Sequence, residues 1–426
     1  MSLFQTAKLK NGTRVILVPS RDTQAATVLV LFEVGSRYES AKLAGASHFV
    51  EHMMFKGTER RPTTMDISRD LDSVGADYNA FTGKDYTGYY VKLNASKIEL
   101  AVDMLHDMLF HSTYRADEIG RERGVIKEEI NMYDDNPIMR AEELLEELIF
   151  EGTLARPIAG THATMDGIDR AELVSWRDAA YTPSRMIIAV AGKFEPSVVD
   201  LLEKTFGTVK EPKKKLKTYP ASRLRSGGAR LALQYKETEQ VQFALGFPGF
   251  PYGHKDMAAL SVLTTILGGG MSSRLFTEVR ERRGLAYSVR ASLSPYQDVG
   301  NIAIQAGLMK AKLDEGITVI LKELGKAAQK GVTAEELTRA KEYIKGKTVL
   351  GLEESSALAE FFAKQELLQK RIQTPEMRLA RIDKVTREDV HAVAKRVFRT
   401  SGLSASLIGP FKDKARFMKL LKIPTR

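Results

Sequence analysis

A chain of 426 residues exceeds the size at which a single hydrophobic core stops growing, so two or more domains are expected. Its 43% hydrophobic and 28% charged residues describe a soluble globular protein, without an apolar run long enough to span a membrane. Cysteine is absent, which excludes disulfides and thiolate ligands, while the net charge of +10 leaves nucleic acid, anionic membrane or acidic peptides open as partners.

The opening MSLFQTAKLKNG lacks the apolar segment and small-residue cleavage site of a secretory signal, so a cytoplasmic location is expected. Two alternating segments follow, GTRVILVPS and ATVLVLFEVG, and read as strands. Next comes GASHFVEHMMFKG, which gathers His48, Glu51 and His52 into five residues of a chain with 7 histidines. On a helix these three side chains fall within an arc of about 100°. Two imidazoles one turn apart can hold Zn²⁺, and a carboxylate beside them can take a proton from the water such an ion activates. The order H-x-x-E-H is the inverse of the commoner H-E-x-x-H and is itself a zinc-protease signature. A polar helix that happens to carry two histidines is the competing reading.

GADYNAFTGKDYTGYYVKL then reads as a strand pair joined at Gly83-Lys84. The segment from Lys97 to Tyr133 is helical in period, with a break near Ser112. Its second part carries Glu122 and Glu129 seven residues apart, hence on one stripe, with Glu128 rotated away by about 100°. Such a pair can supply a third ligand and a carboxylate that orients a ligating histidine. It can equally be the acidic face of a solvated helix.

The Lys-rich KEPKKKLK, which has no interleaved aromatics, reads as a solvated linker rather than a nucleic-acid patch. Beyond it the order of elements recurs: a strand in VQFALGFPGF, a helix in MAALSVLTTILGGG, a strand pair in AYSVRASLSPYQDVGNIAIQAGL, then two helices. ADEIGRERGVIKEE from Ala116 aligns with AEELTRAKEYIKGK from Ala334 at an offset of 218. A duplicated domain is therefore expected, although two amphipathic helices can match by chance. The expected division is a first domain over 1–210, a linker over 211–230 and a second domain over 231–426. Hairpin-like pairs without a βαβ rhythm point to α+β halves, each a mainly antiparallel sheet covered by helices.

These features together resemble the insulinase and mitochondrial-processing-peptidase family of zinc proteases, the pitrilysin-type inverzincins, over essentially the whole chain. In that family the ligands are both histidines of H-x-x-E-H and a glutamate 77 positions after the second, which here is Glu129, with a supporting glutamate seven residues earlier, here Glu122. The resemblance implies one Zn²⁺ per chain, held by His48, His52 and Glu129, with Glu51 as general base. It implies no second metal: Lys347 aligns with Glu129, and Ala340 with Glu122.

The family also carries an Arg and a Tyr in its metal-free half, matched here by Arg280 and Tyr287 in RERRGLAY, whereas Arg282 and Arg283 do not fit. On composition alone Arg280 reads as part of an exposed basic helix and Tyr287 as the start of a buried strand. The resemblance gives Arg280 the substrate's backbone carbonyls and Tyr287 the oxyanion. Asn79, Ala80 and Phe81 match the family's N-A-F/Y-T edge strand, which holds extended peptides through their main chain. In GTLARPIAGTHATMDGI, Ala155 departs from a usual glycine, and an altered surface loop is expected. His162, like His106, His111, His254 and His391, is expected to be no ligand.

The expected activity is a zinc-dependent endopeptidase for peptides or unfolded segments, working as a homodimer, with no nucleic acid or membrane partner. The alternatives are a non-catalytic structural or partner subunit of a processing-peptidase-like complex, and a zinc amidohydrolase.

Overall fold

The computed structural model describes residues 3–213 and 215–424. Lys214, part of the Lys-rich run, lies outside them. The chain forms two compact units, each an α+β body.

The first unit comprises the chain up to Asn131, Arg156–Pro220 and Val349–Thr374. Its sheet contains β1 (Gln5–Lys8), β2 (Arg14–Pro19), β3 (Ala25–Phe32), β4 (Asp77–Thr82), β5 (Thr87–Asn94) and β7 (Met186–Gly192), ordered β1-β2-β7-β3-β5-β4. All neighbours are antiparallel except β2 and β7. One face is covered by α1 (Ala46–Met53), α2 (Thr64–Asp72), α3 (Ile98–His111), α4 (Ala116–Asp135), α6 (His162–Gly167), α7 (Arg170–Ala180) and α8 (Val198–Lys204), around a core that includes Val28, Val30, Phe49, Leu105 and Trp176. The expected break at Ser112 is the C-terminal cap of α3. The expected hairpin turn runs through Gly83-Lys84, where the Gly83 N–H donates to the Tyr86 carbonyl.

The second unit comprises Met132–Ala155, Ala221–Thr348 and the chain from Pro375 onward. Its sheet contains β9 (Arg230–Tyr235), β10 (Gln240–Pro248), β11 (Ala286–Pro295), β12 (Gly300–Met309) and β13 (Ser404–Gly409), ordered β11-β12-β10-β13-β9. Read from its other end, this is the order of the first sheet without β1, and again one pair alone, β13 with β9, is parallel. The shared topology explains the repeat legible at Ala116 and Ala334, where α4 and α11 (Ala334–Gly351) begin. The remaining helices are α9 (Met257–Gly268), α10 (Leu313–Lys330), α13 (Pro375–Asp383), α14 (Arg387–Val397) and α15 (Lys414–Leu420), and a short ribbon pairs β6 (Phe150–Glu151) with β8 (Arg223–Leu224).

The sequence suggested one cut, at 211–230. The compact units instead trade two segments across that cut. α5 (Pro137–Ile149) comes from the first half of the chain, yet its Ala141, Leu145 and Ile149 pack on Ala244, Ala303 and Ile408 of the second sheet. Conversely α12 (Ser355–Gln369) lays Ala359, Phe362, Ala363 and Leu367 on Ile16, Leu29, Leu31 and Ile187 of the first sheet. Each sheet thus has a second apolar face, and burying a Phe or Leu there stabilises by about 1.5–3 kcal/mol per side chain. A local sequence pattern records that a helix is amphipathic but not which sheet it covers. Among the described residues no helix is long and apolar enough to cross a membrane.

Candidate metal centre

α1 starts at Gly45, whose φ of 95° is left-handed and whose Cβ, if present, would lie 2.6 Å from the Ala159 carbonyl oxygen. Only glycine fits both demands. The helix has no cap from its own first residue. Instead the buried Glu39 carboxyl accepts the N–H groups of Gly45 and Ser47, each at 2.7 Å. Phe49, Val50 and Met53 anchor α1 in the core of the first unit.

α4 supplies the third ligand candidate. His48 Nε2 and His52 Nε2 are 3.3 Å apart, and Glu129 Oε2 stands 3.5 Å from the first and 3.6 Å from the second. Ligand atoms on a tetrahedral zinc at 2.0–2.1 Å are separated by about 3.3–3.4 Å, so the three atoms fit such an ion. The chemistry fits as well: two ring nitrogens facing each other beside a carboxylate form a nest that a cation satisfies. Among the described residues this is the single group of three or more His, Asp or Glu side chains arranged to hold a metal.

The surroundings tune the donors. Burial, with the charge of His52 added, pushes His48 down to about 4, so it is a neutral donor at physiological pH. Burial also opposes a charged His52, but its hydrogen bond to Glu122 and the close Glu129 carboxylate outweigh this and raise it to about 9. His52 Nδ1–H donates to Glu122 Oε2 at 3.0 Å, which fixes the ring with Nε2 toward Glu129. Glu122 is only 4% exposed. Burial disfavours its charge, yet hydrogen bonds from His52 and Lys56 hold it below the usual carboxylate range. Glu51, mostly buried, is raised by that burial against the hydrogen bond it accepts from Thr82 Oγ1.

Thr82, Lys56 and Glu39 were not singled out from the sequence. Thr82 is the last residue of the N-A-F-T run. Lys56, ion-paired with Glu122, lies four residues beyond His52, and that spacing was a usable signal. Glu39 gave none, because its role depends on a turn in the chain.

Asn79, Ala80 and Phe81 lie on β4, which is an edge strand of its sheet. Ala80 faces the α1 side and Phe81 the opposite, α12 side. Asn79 is exposed, and its Oδ1 accepts the Ala80 N–H.

In the second unit Arg280 lies in a π-helical turn, Phe276–Glu281, and its guanidinium sits 5.2 Å from the Tyr287 ring centroid. Tyr287 is 70% exposed, at a register shift between Ala286 and Ser288, rather than the buried strand residue that composition suggested. π-turns and bulges are irregularities that re-aim side chains. Arg282 and Arg283 both pair with Glu278. Ala340 is buried in the apolar core of its unit, and Lys347 lies over Tyr343. His162 bonds Asn131 and His391 bonds the Ala328 carbonyl, while Ala155 ends a half-buried 3-10 turn.

Residues 14–162 match the family described as insulinase (peptidase family M16), and residues 167–344 match its companion, the peptidase M16 inactive domain. An uncharacterized zinc protease of Streptomyces coelicolor is 38% identical over 413 residues, covering 95% of this chain and 89% of the relative. One from Bacillus subtilis is 36% identical over 402 residues, covering 94% and 97%. Among solved structures, a protease from Helicobacter pylori superposes with a TM-score of 0.88 at 25% identity, covering 96% of this chain and 99% of that one.

Proposed function

Because this chain belongs to the insulinase family of peptidases, family M16, we propose that it is a zinc-dependent endopeptidase acting on peptides and unfolded segments. The observation that carries the reading is the triangle of His48, His52 and Glu129 with the Glu51 carboxyl held beside it by Thr82. Those three residues would hold zinc, which when bound acidifies water and polarises a carbonyl. The finer assignments are roles for the chain's own residues. Glu51 takes the proton from the attacking water and returns it to the leaving amine. Its burial suits both tasks, because a carboxyl raised above its ordinary value accepts and then releases a proton more evenly. Glu122 keeps His52 in the tautomer that points Nε2 at the metal. β4 receives the substrate as an added strand, reading main chain rather than side chains.

Arg280 is assigned to the substrate's carbonyls and Tyr287 to the developing oxyanion. Their exposure and stacking support this, as does the local irregularity that presents them. A homodimer with two such sites is the assembly we propose. The match to an inactive-domain description concerns residues 167–344, the region without metal ligands, and leaves the ligand set of the first unit complete.

The test is zinc content and cleavage of an unstructured peptide for the wild type and Glu51→Gln. Both should bind zinc, and the variant should lose about 10²–10⁴-fold in rate. Undiminished cleavage by Glu51→Gln would remove Glu51 from the chemistry, and a wild type without zinc would favour a structural subunit.

A further inference from the structure

α1 spans eight residues, little more than two turns, and a helix of that length has marginal stability of its own. Yet it must present His48 and His52 to Glu129 with ligand-level accuracy. Besides the core anchors Phe49, Val50 and Met53, it is held by a small construction from two segments distant in sequence. The loop Gly35–Glu39 lies against the turn that joins β4 to β5. Ser36 N–H donates to the Gly83 carbonyl and Arg37 N–H to the Lys84 carbonyl, each at 3.1 Å. Contact is so close that a Cβ on Gly35 would fall 2.3 Å from the Gly83 oxygen. The Arg37 guanidinium, fully buried, meets Asp85 at 2.6 Å and stacks on the Tyr219 ring at 3.6 Å. Thr87 adds a fourth stitch, its Oγ1–H donating to the Val34 carbonyl.

The joined loop and turn touch α1 at two points. From the loop, Glu39 accepts the N–H groups of the capping residue Gly45 and of Ser47, the second residue of the helix. From the hairpin, Thr82 donates to Glu51, one turn below His48. We infer that Glu39 and Thr82 are positioning residues: the loop 35–39 and the hairpin turn 82–85 form one brace that fixes α1 from both ends. Glu39 sets the height of the two histidines, and Thr82 sets the rotamer of Glu51. Because Thr82 ends β4, the brace also links the edge strand to the general base.

The histidine part of this inference stands on geometry alone, while the Glu51 part rests on the peptidase reading, so the two are tested separately in the full-length protein. Thr82→Val keeps the branched shape and removes the hydroxyl. It should leave zinc affinity and KM unchanged and lower kcat about 10-fold, with Thr82→Ser restoring most of the loss. Glu39→Gln sets an amide N–H against a helix N–H, and should weaken zinc about 10-fold in a chelator competition. Phe362→Leu, on the far face of the sheet, serves as the reference for a plain loss of thermal stability and should change neither zinc affinity nor kcat. Unchanged kcat in Thr82→Val, or a Thr82→Ser as slow as Thr82→Val, overturns the role of Thr82. Wild-type zinc affinity in Glu39→Gln, or a loss no larger than that of Phe362→Leu, overturns the role of Glu39. A wild type that binds zinc but cleaves no peptide contradicts the peptidase reading, and the zinc measurement on Glu39→Gln still decides the brace.

Discussion

The two sheets of this protein share an order of strands and the position of one parallel pair, yet among the described residues only one unit carries a group of side chains that could hold a metal. Glu122 on α4 and Ala340 on α11 occupy equivalent places, and each is 4% exposed. In the first unit that place is polar and satisfied by His52 and Lys56. In the second it is filled by a methyl group packed among apolar side chains. The outer position has diverged as far, from the ligand candidate Glu129 to Lys347. The second unit departs instead in its backbone, through the π-turn at Arg280 and the shifted register at Tyr287, whereas β4 and β5 pair without a break. One fold thus gathers polar helix side chains in one copy and exposes Arg280 and Tyr287 at a backbone irregularity in the other. The lesson is that a duplicated scaffold specifies positions, and burial partners decide what each position can hold.

The largest effects are expected at the traded helices. Phe362→Ala in α12 and Leu145→Ala in α5 remove fully buried side chains from the second face of each sheet. Each should cost about 3–5 kcal/mol in urea unfolding, and a loss under about 1 kcal/mol would show that the helix is dispensable to its sheet. Next, Glu122→Ala gives the first unit the residue of the second. Zinc affinity should fall about 10–100-fold, read by competition with a chelator, because His52 loses the acceptor that orients it. The smallest effect concerns His106, which is held down to about 4, chiefly by burial and then by the charge of His111. The unfolded chain takes up this proton near 6.5 and the folded chain only near 4, so stability is complete above the first value and is lost as pH falls toward the second. Partial exposure limits the change to about 1 kcal/mol, and His106→Phe should flatten that part of the stability profile between pH 6.5 and 4.

Much of the site was legible because its ligands obey helix periods. His48 and His52 sit one turn apart, and Glu122 and Glu129 two turns apart, so spacing alone placed each pair on one face. Bringing the pairs together required the family resemblance, since no local pattern says that α4 lies across α1. Glu39 and Thr82 escaped for the same reason: their partners are made by a turn and a sheet edge. α2 was also missed, although Thr63 and Asp66 form a capping box that marks its start. The traded segments were the deepest omission. A Lys-rich stretch invites a single cut, while the choice of sheet for α5 and α12 rests on complementary apolar surfaces that one-dimensional patterns do not record.

The measurement closest to the central claim is zinc stoichiometry in the purified chain, for the wild type and for Glu129→Lys, which installs the second unit's residue in the first. One zinc per wild-type chain and none in the variant is the predicted result. Two per wild-type chain, or a variant that keeps its zinc, would contradict a single metal centre built on His48, His52 and Glu129.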